Sequence, residues 1–109
     1  MAVNKEYLDF VLDQLNVFGG VTHKKMFGGA GLFRDSYMFA LIAGDELYFK
    51  VDDMNRQDYT ELDLTPFKPF THKDYVMQYY PVPIEIVEDA HELANWAAKS
   101  FEAALRQKK

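Results

Sequence analysis

Lys24-Lys25-Met26-Phe27-Gly28-Gly29-Ala30-Gly31-Leu32-Phe33, followed by Tyr37-Met38-Phe39-Ala40-Leu41-Ile42, is the stretch on which the fold turns. Three glycines sit inside an apolar run that otherwise alternates as a strand does. Glycine weakens a strand interior, so its presence there signals a bulge, a bend or a close backbone approach.

Working outward, residues 22–51 read as three antiparallel strands. Gly44-Asp45 separates Tyr37–Ala43 from Glu46–Val51, and Gly at the first central position suits a two-residue type II′ hairpin. Asp35-Ser36 serves similarly between Gly31–Arg34 and Tyr37. Two-residue turns set the register: Ile42 faces Leu47, Ala40 faces Phe49, Met38 faces Val51 and Phe33 faces Met38, all on one side. The other side then carries Leu32, Arg34, Tyr37, Phe39, Leu41, Tyr48 and Lys50. A one-sided antiparallel sheet alternates apolar with polar, yet here both faces carry large apolar side chains. Such a patch is seldom left bare, so the second face is expected to be covered by another part of the chain, a partner or a second copy.

Upstream, Asn4 caps a helix to about Val17, with Tyr7, Leu8, Val11, Leu12, Leu15 and Phe18 on one stripe before Gly19-Gly20 ends it. Downstream, Asp52 or Asp53 caps a short helix through about Glu61, anchored by Tyr59 and Leu62. Pro66 and Pro69 mark an irregular edge strand, because proline cannot donate to a ladder. Tyr75–Tyr80 reads as a strand ended by Pro81 and Pro83. A last helix starts at Asp89 with Glu92 as capping-box partner, its stripe running from Ala90 to Leu105. Trp96 lies at the margin of that stripe. The order is α-β(3)-α-β(2)-α, a two-layer α+β domain with an antiparallel five-stranded sheet.

The chain has 109 residues, the size of one domain, and 49% of them are hydrophobic, so a packed core is expected rather than disorder. No apolar run is long enough for a membrane span, and the N-terminal residues lack a signal-peptide core. Cysteine is absent, which excludes disulfides, zinc-thiolate sites and thiol catalysis, and a cytoplasmic setting is the simplest expectation. The net charge of −5 counts against nucleic acid as the partner. The short basic clusters are His23-Lys24-Lys25 and Arg106-Gln107-Lys108-Lys109, and the second suits a helix C-terminus.

Several motifs together resemble the TfoX N-terminal-domain family, bacterial proteins named for regulators of natural competence. Met-Phe-Gly-Gly-x-Gly stands at Met26, Phe27, Gly28, Gly29 and Gly31, and Met-Phe-Ala at Met38, Phe39 and Ala40. Leu47, Tyr48, Phe49, Lys50 and Asp52 match another, with Asn55 just after. Pro66-Phe67, Met77-x-Tyr79-Tyr80 and Leu93-x-x-Trp96-Ala97 complete the set, so the resemblance covers most of the chain. It departs at Ser36, where glycine is common, and in ending after the first of the two domains that competence regulators carry. The resemblance implies a single stand-alone module over residues 1–109. It also implies a fold like that of secretion chaperones, with helices on one side of a five-stranded sheet and commonly a dimer.

For chemistry the raw material is thin. Gly28-Gly29-Ala30-Gly31 lacks the third glycine of a dinucleotide fingerprint and the helix behind a phosphate loop, so a structural role is favoured. Ser36, in a turn, and Ser100, in a helix, form no nucleophile motif, and His23, His72 and His91 have no metal-ligand spacing. No cofactor is expected. One constellation stands out: Tyr48 and Lys50 on one face, with Tyr79 and Tyr80 on another strand of the sheet. Aromatics beside lysine can anchor a protein interface or stack bases. The expected function is a non-enzymatic regulatory or protein-interaction module, homodimeric through the second face. The alternative is a nucleic-acid-associated co-regulator using Lys24, Lys25, Lys50 and the tyrosines, with a small enzyme third.

Overall fold

A computed structural model describes residues 4–26, 28–67 and 78–107. Five strands form one antiparallel sheet in sequence order: β1 (Val21–Met26), β2 (Gly29–Arg34), β3 (Tyr37–Ala43), β4 (Glu46–Lys50) and β5 (Tyr79–Pro81). Helices α1 (Lys5–Gln14), α2 (Arg56–Thr60), α3 (Ile84–Val87) and α4 (Ala90–Gln107) complete the described elements. Leu8, Val11 and Leu15 from the first helical segment join Tyr59, Val87, Leu93 and Ala97 in one core with the sheet. The helices therefore lie on one face, and the α+β class stands.

The order differs from the α-β(3)-α-β(2)-α expectation. Four strands precede α2, because the first of the three strands expected over 22–51 folds back on itself at Gly28, which adds the edge strand β1. Its residues Thr22 to Lys25 are all exposed, so this edge strand has no buried side to impose a period-2 pattern. Of the two later strands, 68–70 and 75–77 lie outside the described residues. Phe67 donates its backbone N–H to the Tyr79 carbonyl at 2.7 Å. Pro81 is the last residue of β5, opposite Tyr48, rather than its terminator. The short α3 was also unforeseen.

Local chemistry explains most ends. Asn4 Oδ1 accepts the Tyr7 N–H at 3.1 Å, and Gly19 and Gly20 take φ of 86° and 74° after the helix. Asp89 Oδ1 accepts the Glu92 N–H at 3.2 Å to cap α4. Between β4 and α2, Asn55 is the key residue, only 3% exposed. Its Oδ1 accepts the Asp52 N–H and its Nδ2 donates to the Lys50 carbonyl, so both ends of a buried amide are satisfied. Leu62 is 52% exposed and anchors nothing, whereas Leu64 packs against the core.

Gly44 alone has positive φ in its turn, as type II′ requires. Asp35 and Ser36 both do, at 51° and 72°, which makes the first hairpin type I′ without a glycine. The glycine run holds no bulge. Gly28 supplies a positive φ of 75° between β1 and β2. A Cβ on Gly29 would stand 2.1 Å from the Ile42 carbonyl oxygen, so this position is a close backbone approach.

The bulge lies instead in β3. Phe33 pairs with Met38 but Leu32 pairs with Ala40, leaving Phe39 as an extra residue. Alternation is therefore interrupted, and both Phe39 and Ala40 belong to the helix-side core.

Candidate functional site

The bulge divides the expected second face in two. Leu32, Arg34, Tyr37 and Phe39 lie on the helix side, not with Leu41, Tyr48 and Lys50. Leu32 and Phe39 are 0% exposed core residues. The Tyr37 ring meets Phe101 of α4 edge-on at 6.2 Å, and the Arg34 guanidinium stacks 4.3 Å from the Phe18 ring. Conversely Phe33 and Met38, expected on the core side, close over Gly31 together with Met26 on the outer face. The seven-residue set is thus not one surface, because a single added residue exchanges the faces on either side of it.

The tyrosine constellation divides as well. Tyr80 turns to the core, 5.5 Å from the Tyr59 ring. Tyr48 packs 4.6 Å from Phe67. Tyr79, 5% exposed, sits beneath Lys50, whose Nζ is 4.9 Å from the ring centroid. Lys50 and Tyr79 are direct cross-strand partners, so the ladder itself sets this contact. Phe27 of the glycine motif lies outside the described residues.

The bulge also opens the sheet. Pairing of β3 with β4 stops at Ala40 and Phe49, and the expected Met38–Val51 pair does not form. Val51 instead donates its N–H to the Gln78 carbonyl at 2.9 Å. Where the strands part, a cleft of about 300 Å³ lies between Phe33, Tyr37 and Met38 on one wall and Lys50 and Tyr79 on the other. Ser36, Ala104 and Gln107 line the same cleft. A second hollow of about 460 Å³ shares Lys50 and Gln107 and extends to Asp52, Asp53, Arg56 and Arg106.

The charges there are unevenly matched. Arg106 grips Asp52 with two bonds of 2.6 and 3.0 Å, and Arg56 pairs with Asp53. The Arg106 hydrogen bond holds the Asp52 carboxyl below its ordinary range. Among the described residues Lys50 has no ion pair, and burial lowers its pKa while nearby Asp52 partly opposes the shift. Burial also pushes the Tyr79 phenol up to about 12, so the ring beneath the ammonium stays neutral at ordinary pH. Tyr48 is raised too, by burial first and then by Glu46. Such an arrangement presents a half-desolvated cation beside apolar and aromatic walls, which is recognition chemistry.

Residues 13–104 match the sequence model of the TfoX N-terminal domain. The chain belongs to the TfoX N-terminal domain family. No curated protein matches the chain at a significant level. Within this TfoX domain the family motifs fall at structural and cleft positions alike. Gly28 and Gly29 serve backbone geometry, Phe39 is the bulge, and Lys50 with Tyr79 edges the cleft. Lys24 and Lys25 stand on the edge strand β1, with β2 and β3 between it and the strand that carries Lys50. They form no common basic patch with Lys50. Among the described residues no helix is long and apolar enough to cross a membrane.

Sequence reasoning missed Asn55 as a buried linchpin and Ser36 and Gln107 as cleft residues. Asn55 was visible only as a motif letter, and its environment depends on a turn that residue patterns do not encode. Buried Ser100 of α4 was also missed; it lies beside Tyr59, where its hydroxyl offsets a little of the upward shift that burial gives the phenol.

Proposed function

We propose that this TfoX domain is a non-enzymatic regulatory module that works through protein–protein contact and pairs with a second copy across the outer sheet face. The observation that supports this reading is the group of Met26, Phe33 and Met38 gathered over Gly31, on the side opposite the described helices. These residues are half-buried rather than buried. None carries a charge, so the centre of the patch can meet its copy without electrostatic repulsion, with exposed Lys24, opposite Gly31, at its border. The family adds a regulatory setting, and a connection to competence is part of the proposal on the strength of that membership.

The test is light scattering behind gel filtration at micromolar concentration. The expected mass is twice 12.7 kDa for the native chain, falling to the monomer in Phe33→Asp with an unchanged far-ultraviolet circular dichroism spectrum. A native chain that runs only as a 12.7 kDa monomer throughout that range would remove the dimer from the proposal.

A further inference from the structure

The cleft opened by the Phe39 bulge has the makings of a ligand site that the self-association reading does not require. We propose that it binds a small aromatic monocarboxylate, with Lys50 receiving the carboxylate and Phe33, Tyr37 and Met38 the apolar body. Four features of the molecule lead there.

The first is charge. Asp52 and Asp53 are already engaged by Arg106 and Arg56, so among the described residues of the two hollows Lys50 is the cation without a carboxylate partner. A half-buried ammonium that has lost water, with an aromatic face beneath it and Asp52 near but bonded to Arg106, is under-satisfied, and an entering carboxylate would supply both charge and acceptors. The second is the valence of the ligand. Ala104 and Gln107, in the last turn of α4, border the cleft, and the C-terminal end of a helix carries partial negative charge. That partial charge disfavours a second negative charge on the ligand, and a phosphate dianion is better served by a helix N-terminus.

The third is shape. About 300 Å³ is at the small end of ligand pockets, and its walls mix aromatic and thioether surface with a few polar groups. Ser36 and Gln107 add a hydroxyl and an amide beside the lysine, enough to orient a planar acid. The fourth is backbone geometry. A bulge parts the strands to make the cleft, and Ser36 is held at φ 72°, a conformation that a serine seldom takes. The bulge places side chains in the opening that an unbroken ladder would not.

The test is a chemical-shift titration of the full chain with 2-naphthoate, using 2-naphthamide and inorganic phosphate as controls. The expected result is saturable shifts at Ser36, Met38, Lys50, Tyr79 and Ala104 with naphthoate, and much weaker responses to either control. Lys50→Met should weaken naphthoate by at least about ten-fold, the loss of one charge-assisted contact, while its spectrum stays dispersed. Should that variant fail to fold, the native chain supplies a second readout. Naphthoate affinity should fall as pH rises through the lowered pKa of Lys50, below the ordinary lysine range. Of the groups around it, Tyr79 on β5 stays neutral through that rise, and Asp52, Arg56 and Arg106 keep their charges. Absent or scattered shifts, equal binding of naphthamide or phosphate, or affinity indifferent to both Lys50→Met and pH would each overturn the proposal. Phe33 and Met38 belong both to the cleft and to the patch proposed for pairing, but the Lys50 and pH dependence reads the cleft alone and the mass reads the pairing alone, so the two proposals fail separately.

Discussion

The two faces of this sheet are built from the same kinds of residue and do different work. On the helix side, Phe39 lies 5.4 Å from Phe18 and 6.0 Å from Phe49, closed off by α1 and α4. On the outer side, Phe33 and Met38 share a patch over Gly31 and Tyr79 carries a lysine. Hydrophobicity alone does not tell these faces apart. Coverage does near Gly31, where Phe33 and Met38 stay half-buried, whereas farther along the same outer face Leu41 and Tyr79 are buried and Phe67 packs on Tyr48.

The sharpest way to break the comparison is to truncate neighbours that point opposite ways. Phe39→Ala should cost about 3–5 kcal/mol, because a closed core cannot refill the space of a ring. Met38→Ala, one residue earlier but on the half-exposed face, should cost under about 1.5 kcal/mol. Urea denaturation of both variants decides the matter. Equal costs would mean that the outer face is as tightly covered as the inner one.

Alkaline pH tests burial on both sides together. Tyr79 on the outer face and Tyr7 of α1 each titrate near pH 12 instead of 10, Tyr79 through burial and Tyr7 through burial first, then Glu46 and Asp45. A raised pKa means that the folded state holds the proton more tightly. The stability it contributes is complete below pH 10 and drains away between 10 and 12. For buried Tyr79 a shift of this size corresponds to about 2–3 kcal/mol. Tyrosine absorbance followed alongside circular dichroism should show late phenols ionising together with unfolding, and Tyr79→Phe should move that transition to higher pH. Ionisation of Tyr79 near pH 10 in a still-folded chain would show that water reaches the outer face.

The glycines give the finest contrast. Gly29→Ala drives a Cβ into the Ile42 carbonyl, a backbone atom with nowhere to go, and should cost about 1–3 kcal/mol or more. Gly31→Ala meets the Met26 sulfur first, then the edge of the Phe33 ring and the Met38 methyl, side chains on the half-buried outer face that can shift, and should cost under about 1 kcal/mol. Thermal melts of the pair compare them directly. A larger loss at Gly31 would mean that its methionines are locked in place.

Much of this TfoX domain was legible in its residues. Helical stripes led by Leu8 and Val11, and by Leu93 and Ala97, announced α1 and α4, because a 3.6-residue period has few other uses. Gly44-Asp45 set the β3–β4 register, and the observed Ile42–Leu47 and Ala40–Phe49 pairs follow from it. That β1 and β2 are separate strands escaped because all four middle residues of β1 are exposed, which leaves no alternation to locate the turn at Gly28. The cleft escaped for a different reason. Lys50 and Tyr79 were singled out, but their contact and their separation from Tyr80 depend on strands 28 residues apart in the chain.

What the residues by themselves determined is the parts: which segments are helical, where the hairpins turn, and that the sheet is apolar on both sides. Which apolar side would be the core was decided in three dimensions. Period-2 alternation defines two faces only while the ladder is unbroken, and nothing in Met38-Phe39-Ala40 says that it breaks there. The bulge puts both Phe39 and Ala40 into the core beneath the helices, at the expense of one step of the β3–β4 ladder. Burying a phenylalanine is worth more than a ladder hydrogen bond that water can replace, and packing therefore chose the register that local pattern left open.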